Sequence, residues 1–444
     1  MKDDYRSIAD ALSVDIQSGR LRPGERLLPQ RTFAYERGIA ASTAERVYQE
    51  LGRRGLVIGE VGRGTFVRNG RAPPDSALID LHATPVNLEL VFPVLETHRP
   101  LFAASLAQLV SGPAFRDALG PVGAAPTPAT QEIAARFLAR SDWTPSARQI
   151  LFTGNGKQAI GAALSAIAEP GNRVGVEALT YPIIKTLASR LGLELVPIPM
   201  DASGISAVAL DEVLRHSRPT CVYLQPSLHS PTGATMSVDR RKEVAAVLQR
   251  HDVVAVEDGI YQFLVDEPPL AAFAPAHTVF IDSLSKRLAP GLALGVIAAP
   301  ERLTDKVTAA IRRSVWMPGG LALSMGVGWM ADPVLARIVA DKRRDARLRQ
   351  KVARTALKPF DSGGDDRAYH LWMPLPDHWR AEAYAAAALR RGIAVTPGVA
   401  FAVGAGHAPR AVRLALAAPE MSDLKRALES LAALASIIEE PVIE

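Results

Sequence analysis

With 444 residues the chain is too long for one ordinary core, so a small unit beside a much larger one is expected. A hydrophobic content of 48% against 22% charged residues excludes a chain that is disordered throughout, and the single cysteine, Cys221, excludes an internal disulfide. The net charge of +5 is too modest to point to nucleic acid by itself.

The opening residues Met1-Lys2-Asp3-Asp4-Tyr5 carry charge and no apolar run, which does not fit a secretory signal. Further on, Ser314 to Ala331 is free of charge, but Pro318, Gly319, Gly320, Gly326 and Gly328 interrupt it, so it reads as a buried loop and helix rather than a membrane span. A cytoplasmic protein with no membrane partner is the expectation. Cys221, inside the apolar run Thr220-Cys221-Val222-Tyr223-Leu224, reads as core.

In chain order, Ile8, Leu12 and Ile16 repeat every four residues and predict a first helix closed at Gly19. Pro23-Gly24 then turns the chain towards a second helix from about Gln30 to Arg37, ended by Gly38. Ser42-Thr43-Ala44-Glu45 has the form of a capping box, in which the hydroxyl and the carboxylate satisfy each other's backbone donors, and it predicts a third helix to about Arg54. Leu56-Val57-Ile58 and Thr65-Phe66-Val67 are strand-like and joined by the glycine-bearing run Gly59 to Gly64, which allows a tight hairpin. Between Arg20 and Arg68 ten arginines stand against five glutamates, so this short stretch holds a net charge equal to that of the whole chain and suits a phosphate partner.

The run Arg20-Leu21-Arg22-Pro23-Gly24-Glu25-Arg26-Leu27, the Ser42-Thr43 helix start and the ending Gly62-Arg63-Gly64-Thr65-Phe66-Val67 closely resemble the GntR-type winged helix-turn-helix. The resemblance spans residues 1–68 and implies a DNA-binding domain with a β-wing. It would place Ser42, Thr43 and Arg46, early on the third helix, in the major groove, and Arg31 and Arg63 on phosphates or in the minor groove of operator DNA. Asn69 to Ser76, rich in proline and polar residues, reads as an extended, semi-rigid linker, so residues 69–86 are taken as linker and 87–444 as a second domain.

Beyond the linker, apolar strand-like runs alternate with helical segments, as in a mixed sheet covered by helices. Phe152-Thr153-Gly154-Asn155-Gly156-Lys157-Gln158 leads from a strand into the helix Ala159 to Ile167, whose free amide donors would suit a phosphate. It is not a nucleotide P-loop, because Leu151 and Gln158 stand where that motif requires glycine and serine or threonine. Thr180-Tyr181-Pro182 follows a strand and offers a ring that could lie on a flat cofactor. Val253 to Asp258 is a buried strand ending in two carboxylates. There Asp258 can keep a pyridine nitrogen protonated and Tyr261 can hydrogen-bond the phenolic oxygen of the same ring. Lys286, in the strand-to-turn run Ile281-Asp282-Ser283-Leu284-Ser285-Lys286, has an apolar setting that suits an amine with lowered pKa, as a Schiff-base lysine needs.

These motifs together resemble the fold-type I aminotransferases from about residue 80 to 440, and the fused arrangement resembles the MocR/GabR subgroup of GntR regulators. The resemblance implies an N-terminal winged helix-turn-helix joined to an α/β pyridoxal 5'-phosphate (PLP) domain of the type I aminotransferase fold. Lys286 would be the Schiff-base lysine, Asp258 the pyridinium partner, Tyr261 the phenolate contact and Tyr181 the stacking ring. Asn155, Gly156, Lys157 and Ser283 would hold the phosphate, and Arg413 would grip an effector's carboxylate, with Arg410 a nearby competitor.

Two positions depart from the family pattern. Ser230 precedes Pro231 where the family carries an asparagine for the phenolic oxygen. Ala293 replaces the phosphate-binding arginine of Pro-Gly-x-Arg-x-Gly, a loss of roughly ten- to a hundredfold in cofactor retention unless Lys157 or Arg287 substitutes. No histidine pair has metal-ligand spacing, so no metal is expected. The run Lys342-Arg343-Arg344 to Lys351 reads as a solvated helix face. The expected function is a PLP-dependent transcriptional regulator that senses an amino compound or PLP itself. It would be a homodimer reading two half-sites, not a metabolic enzyme, though slow half-transamination is compatible with the residues. An active aminotransferase with an accessory DNA-binding head and a DNA-binding protein with a non-catalytic dimerisation body are the alternatives.

Overall fold

A computed structural model of the protein describes residues 5–17, 20–21, 24–53, 56–60, 64–67, 84–140, 143–404 and 408–437. The chain separates into two compact units, a small one of Met1–Ala83 with Gly404–Pro409 and a large one of Thr84–Val403 with Arg410–Glu444. Gly19, Pro23, Arg63, Arg68 and the 69–83 part of the expected linker lie outside the described residues.

In the N-terminal unit, helix α1 (Tyr5–Gln17) buries Ile8, Ala9 and Leu12, as its four-residue repeat predicts. Helix α2 (Gln30–Arg37) buries Phe33 and Ala34 and stops at Gly38, whose φ of 62° is the left-handed conformation that lets its N–H and that of Ile39 turn back onto the helix's last carbonyls. Helix α3 begins at Ala41 and runs to Arg53. The expected capping box is therefore not formed: Ser42 stands inside the first turn, and Glu45 accepts a hydrogen bond from Gln49 one turn on. The Ala40 carbonyl closes that first turn instead. Strands β1 (Val57–Glu60) and β2 (Gly64–Val67) form the antiparallel hairpin with Val57 opposite Val67. The segment Gly24 to Leu27 pairs with β2 as well, a ladder that sequence periodicity does not reveal. Val47 and Leu51 of α3, with Leu27, Phe33, Val57 and Val67, close a small core.

The large unit is built on a seven-stranded sheet, in the spatial order Ile150–Thr153, Gly295–Ala298, Thr278–Ser283, Val254–Asp258, Cys221–Leu224, Arg173–Glu177 and Glu194–Ile198. Only Gly295–Ala298 runs antiparallel to its neighbours. Most of these strands are buried along their whole length, as a largely parallel sheet covered on both faces requires. One face packs Leu151, Val176, Val256 and Ile281 beneath the helices Gly156–Ile167 and Glu301–Arg313. Phe152, Phe280 and Val296, and farther along Val222, Leu224 and Ala255, form the opposite face. Cys221 is buried in this core, as its apolar run predicts.

A smaller layer follows, with strands His370–Pro374, Ala411–Ala415 and Thr396–Pro397 packed with the helices Ala381–Arg390 and Met421–Ala435 around Leu371, Tyr384, Leu414 and Leu428. The 23-residue helix Val334–Ala356 corrects one expectation. Lys342, read as part of a solvated face, is 0% exposed and donates to the carbonyls of Lys286 and Leu288, so it fastens the turn carrying Lys286. Among the described residues no single helix is long and apolar enough to cross a membrane.

Candidate cofactor and effector site

Parallel strands expose free carbonyl ends and the loops that follow them on one edge, where α/β sheets commonly gather ligands. Here five such ends carry the candidate residues: Thr153 leads to Asn155, Glu177 to Tyr181, Leu224 to Gln225 and Ser230, and Asp258 and Ser283 are themselves strand ends. The turn from Ser283 into Leu284–Arg287 brings Lys286 to the same edge.

Lys286 donates to the carbonyl of Val91, and its ammonium lies 3.8 Å from the centre of the Phe92 ring and 5.9 Å from that of Tyr261. Burial, and after it the positive charges of Arg413 and Lys157, hold this amine well below the usual lysine range. Asp258 is buried under three donors: the Tyr223 hydroxyl at 2.7 Å and the Gln225 side-chain amide at 2.9 Å on Oδ2, and the Ile260 N–H at 3.1 Å on Oδ1. Burial lifts its carboxyl above the usual range, while these three bonds pull it back. Neither Tyr223 nor Gln225 was singled out from sequence; both fall near the end of an apolar strand, where the pattern signals only packing.

The Tyr261 ring stacks obliquely on His370, 5.4 Å between centres, and burial pulls the His370 imidazole down to about 3, so the ring is neutral at physiological pH. Ser230 Oγ and His370 Nδ1 are buried with no hydrogen-bond partner. Arg413, 7% exposed, donates to Thr396 Oγ1 at 3.1 Å and to the carbonyl of Glu89, stacks on Phe401 at 5.2 Å, and leaves its Nε unpartnered. Arg410, by contrast, is exposed and ion-paired with Asp377 at 2.7 Å. Lys286 and Arg413 are thus tied to carbonyls of one short segment, Glu89 to Val91, a tie no local motif announces.

On the phosphate side, Asn155 caps the helix Gly156–Ile167 through the Gln158 N–H at 3.0 Å. A Cβ on Gly156 would stand 3.2 Å from Ser283 Cβ, so glycine lets this first turn close on the serine. Ser283 Oγ in turn bonds Ser285 Oγ at 3.0 Å. Tyr181 is half-buried after the Arg173–Glu177 strand and packs against the core below it. The structure therefore gathers Asn155, Gly156, Ser283, Lys286, Asp258 and Tyr261 at one sheet edge, with Arg413 and Lys157 within electrostatic range of Lys286.

The protein-family model for class I and II aminotransferases matches residues 123–431. The chain belongs to this aminotransferase family. Residues 4–67 match the bacterial gntR regulatory family, and the fusion of the two makes the chain a MocR-type regulator. This MocR-type chain is 28% identical to an uncharacterised HTH-type transcriptional regulator, YdeF, of Bacillus subtilis, over 96% of its own length and 93% of the relative's. It is also 28% identical, over 90% and 91% of the two chains, to the vitamin B6 salvage pathway transcriptional repressor PtsJ of Salmonella typhimurium. A third relative is the pyridoxine biosynthesis transcriptional regulator PdxR of Corynebacterium glutamicum, 25% identical over 78% and 79%. Among solved structures, kynurenine aminotransferase of Pyrococcus horikoshii superposes with a TM-score of 0.73 at 21% identity, covering 83% of this chain and 95% of that one. The large unit of this MocR-type regulator therefore has the type I aminotransferase fold. The protein is a DNA-binding transcriptional regulator with an aminotransferase-like domain.

Proposed function

We propose that this regulator binds PLP and senses an amino compound, or PLP itself, through a Schiff base at Lys286. The observation that carries the reading is an amine of lowered basicity, on the half-buried Lys286, at the same sheet edge as a buried, three-donor carboxylate, Asp258. The residues present fit the cofactor. Asn155, Gly156, Lys157 and Ser283 face a phosphate, Asp258 a pyridine nitrogen, Tyr261 and Ser230 a phenolic oxygen, and Tyr181 a ring face. The unpartnered buried Oγ of Ser230 supports that assignment. When bound, the cofactor supplies an aldehyde that reacts with amines.

Burial and two neighbouring cations lower the basicity of Lys286, which favours its action as a nucleophile. Arg413 offers a planar fork to a carboxylate, and its unpartnered Nε leaves one donor for it. The vitamin B6 connection in the names of two relatives supports PLP itself as one candidate signal. The signal shifts DNA binding only as far as its affinity differs between the two states of the protein. Residues 1–68 would read operator DNA through Ser42, Thr43, Arg46, Arg31 and Arg63, with 69–86 as linker and 87–444 as effector domain of a homodimer reading two half-sites.

The test is the absorbance spectrum of purified protein with PLP, beside Lys286→Ala, followed by titration with amines. A lysine-dependent band that particular amines shift is the expected result, and no such band overturns the reading. Sustained turnover with a keto-acid acceptor would instead make the chain an aminotransferase carrying a DNA-binding head.

A further inference from the structure

A phosphate dianion at the first turn of Gly156–Ile167 finds N–H and hydroxyl donors, but its binding gains most from a full positive charge. The position at which the resembled motif carries arginine is Ala293. Gly295 pairs with Thr153 at the end of the ladder, and a Cβ on Gly295 would stand 2.5 Å from the Asn155 carbonyl oxygen, so Ala293 lies two residues before a position that touches the cradle. The cation missing there has to come from elsewhere.

Most cations nearby are committed. Arg287, only 4% exposed, is ion-paired with Asp282, its guanidinium lies 4.4 Å from the Phe137 ring centre and 5.2 Å from that of Phe263, and its buried Nε has no partner. Lys342 spends its ammonium on the carbonyls of Lys286 and Leu288, at 3.0 and 2.7 Å. Arg413 is held by Glu89 and Thr396, and Lys286 by Val91. The Lys157 ammonium makes no hydrogen bond or ion pair among the described residues. It is half-buried at the second position of the helix whose first residue closes on Ser283.

We infer that Lys157 is the cation of the phosphate cradle, taking over the charge that Ala293 does not provide. The inference rests on the reading that the site holds PLP. It chooses between the two substitutes that sequence leaves open, because Arg287 is turned into an aromatic and carboxylate setting. It also changes the character of the grip, since an ammonium is a single hydrated point charge on a flexible stem where arginine is a rigid fork.

The test measures equilibrium binding of PLP and of pyridoxal, which lacks the phosphate, to the full-length protein by dialysis and absorbance. The chains compared are wild type, Lys157→Gln, Lys157→Arg and Lys157→Gln with Ala293→Arg, with circular dichroism confirming that each is folded. Lys157→Gln is expected to weaken PLP binding roughly ten- to a hundredfold and pyridoxal binding far less, because pyridoxal meets only the change in Lys286 basicity. Lys157→Arg and the double variant are expected to recover most of the loss. Lys157→Gln binding PLP as tightly as wild type overturns the inference, as does an equal loss for pyridoxal. A double variant no tighter than Lys157→Gln overturns the exchange of charge between the two positions. Wild type that binds neither compound defeats the PLP reading itself, an outcome recognisable before any variant is compared.

Discussion

Most of the described residues expected to meet DNA stand in water, whereas those expected to meet the cofactor are buried or half-buried. Arg31, Ser42 and Arg46 are exposed, with the Arg46 guanidinium resting 5.2 Å from the Tyr5 ring centre. Asp258, Tyr261, Ser283 and Arg413 are buried. A polyanion read from outside needs hydrated charges that release its counterions, and their protonation hardly varies. A small ligand that reacts with an amine needs that amine easily deprotonated, and burial and neighbouring cations lower the basicity of Lys286 in that direction. One chain thus keeps two kinds of basic side chain, distinguished by solvent rather than by sequence.

The sharpest way to break this contrast is Lys286→Ala, which is expected to abolish covalent attachment of PLP, read by absorbance and by mass after borohydride reduction, while binding to operator DNA persists. Next, Arg413→Gln should weaken the response to amino acids roughly ten- to a hundredfold and leave amines without a carboxylate nearly unaffected, as titration would show. On the exposed side, Arg31→Gln should weaken DNA binding at all sequences and flatten the slope of log affinity against log salt by about one, measured by fluorescence anisotropy.

A smaller, pH-dependent effect separates the buried amine from the exposed arginines. Lys286 is depressed in the folded state, so between its folded pKa and the ordinary 10.5 the unfolded chain holds more protons and stability rises with pH. The melting temperature of Lys286→Met should therefore gain on wild type as pH falls from 10.5 towards neutrality, and the gap should narrow as pH rises. Arg31→Gln should show no such trend. The least effect is expected at Gly38→Ala. No atom lies within 4 Å of the added methyl, so only the left-handed φ of 62° penalises it, by about 1 kcal/mol in chemical denaturation.

How much of this was legible in the sequence depended on range. Helices α1 and α2, the hairpin, the strand leading to Asp258 and the turn carrying Lys286 are announced by periodicity, glycines and short motifs, which act within a few residues. The start of α3 was misread because a serine with a glutamate three residues on looks the same whether it caps the helix or lies inside it. Lys342 was misread because a basic run on a helix says nothing about which face meets the core. The contacts of Val91 and Phe92 with Lys286, and of Glu89 with Arg413, join residues about 200 and 300 positions apart, beyond any local pattern. The partners of Asp258 were hidden differently: Tyr223 and Gln225 fall near the end of an apolar strand that looks like core, and only the pairing of two strands brings them to the carboxylate.

The segment Glu89 to Val91 has a consequence for dose. Its carbonyls occupy donors of both Lys286 and Arg413, and because it belongs to the same chain its local concentration never falls with dilution. An amino acid that displaced the segment from both side chains would exchange those bonds for its own, so only the difference between the two sets would contribute to affinity. Such a built-in competitor would raise the ligand concentration at half-occupancy. Substitutions in Glu89 to Phe92 that loosen the segment would lower that concentration without touching a single residue of the cofactor cradle.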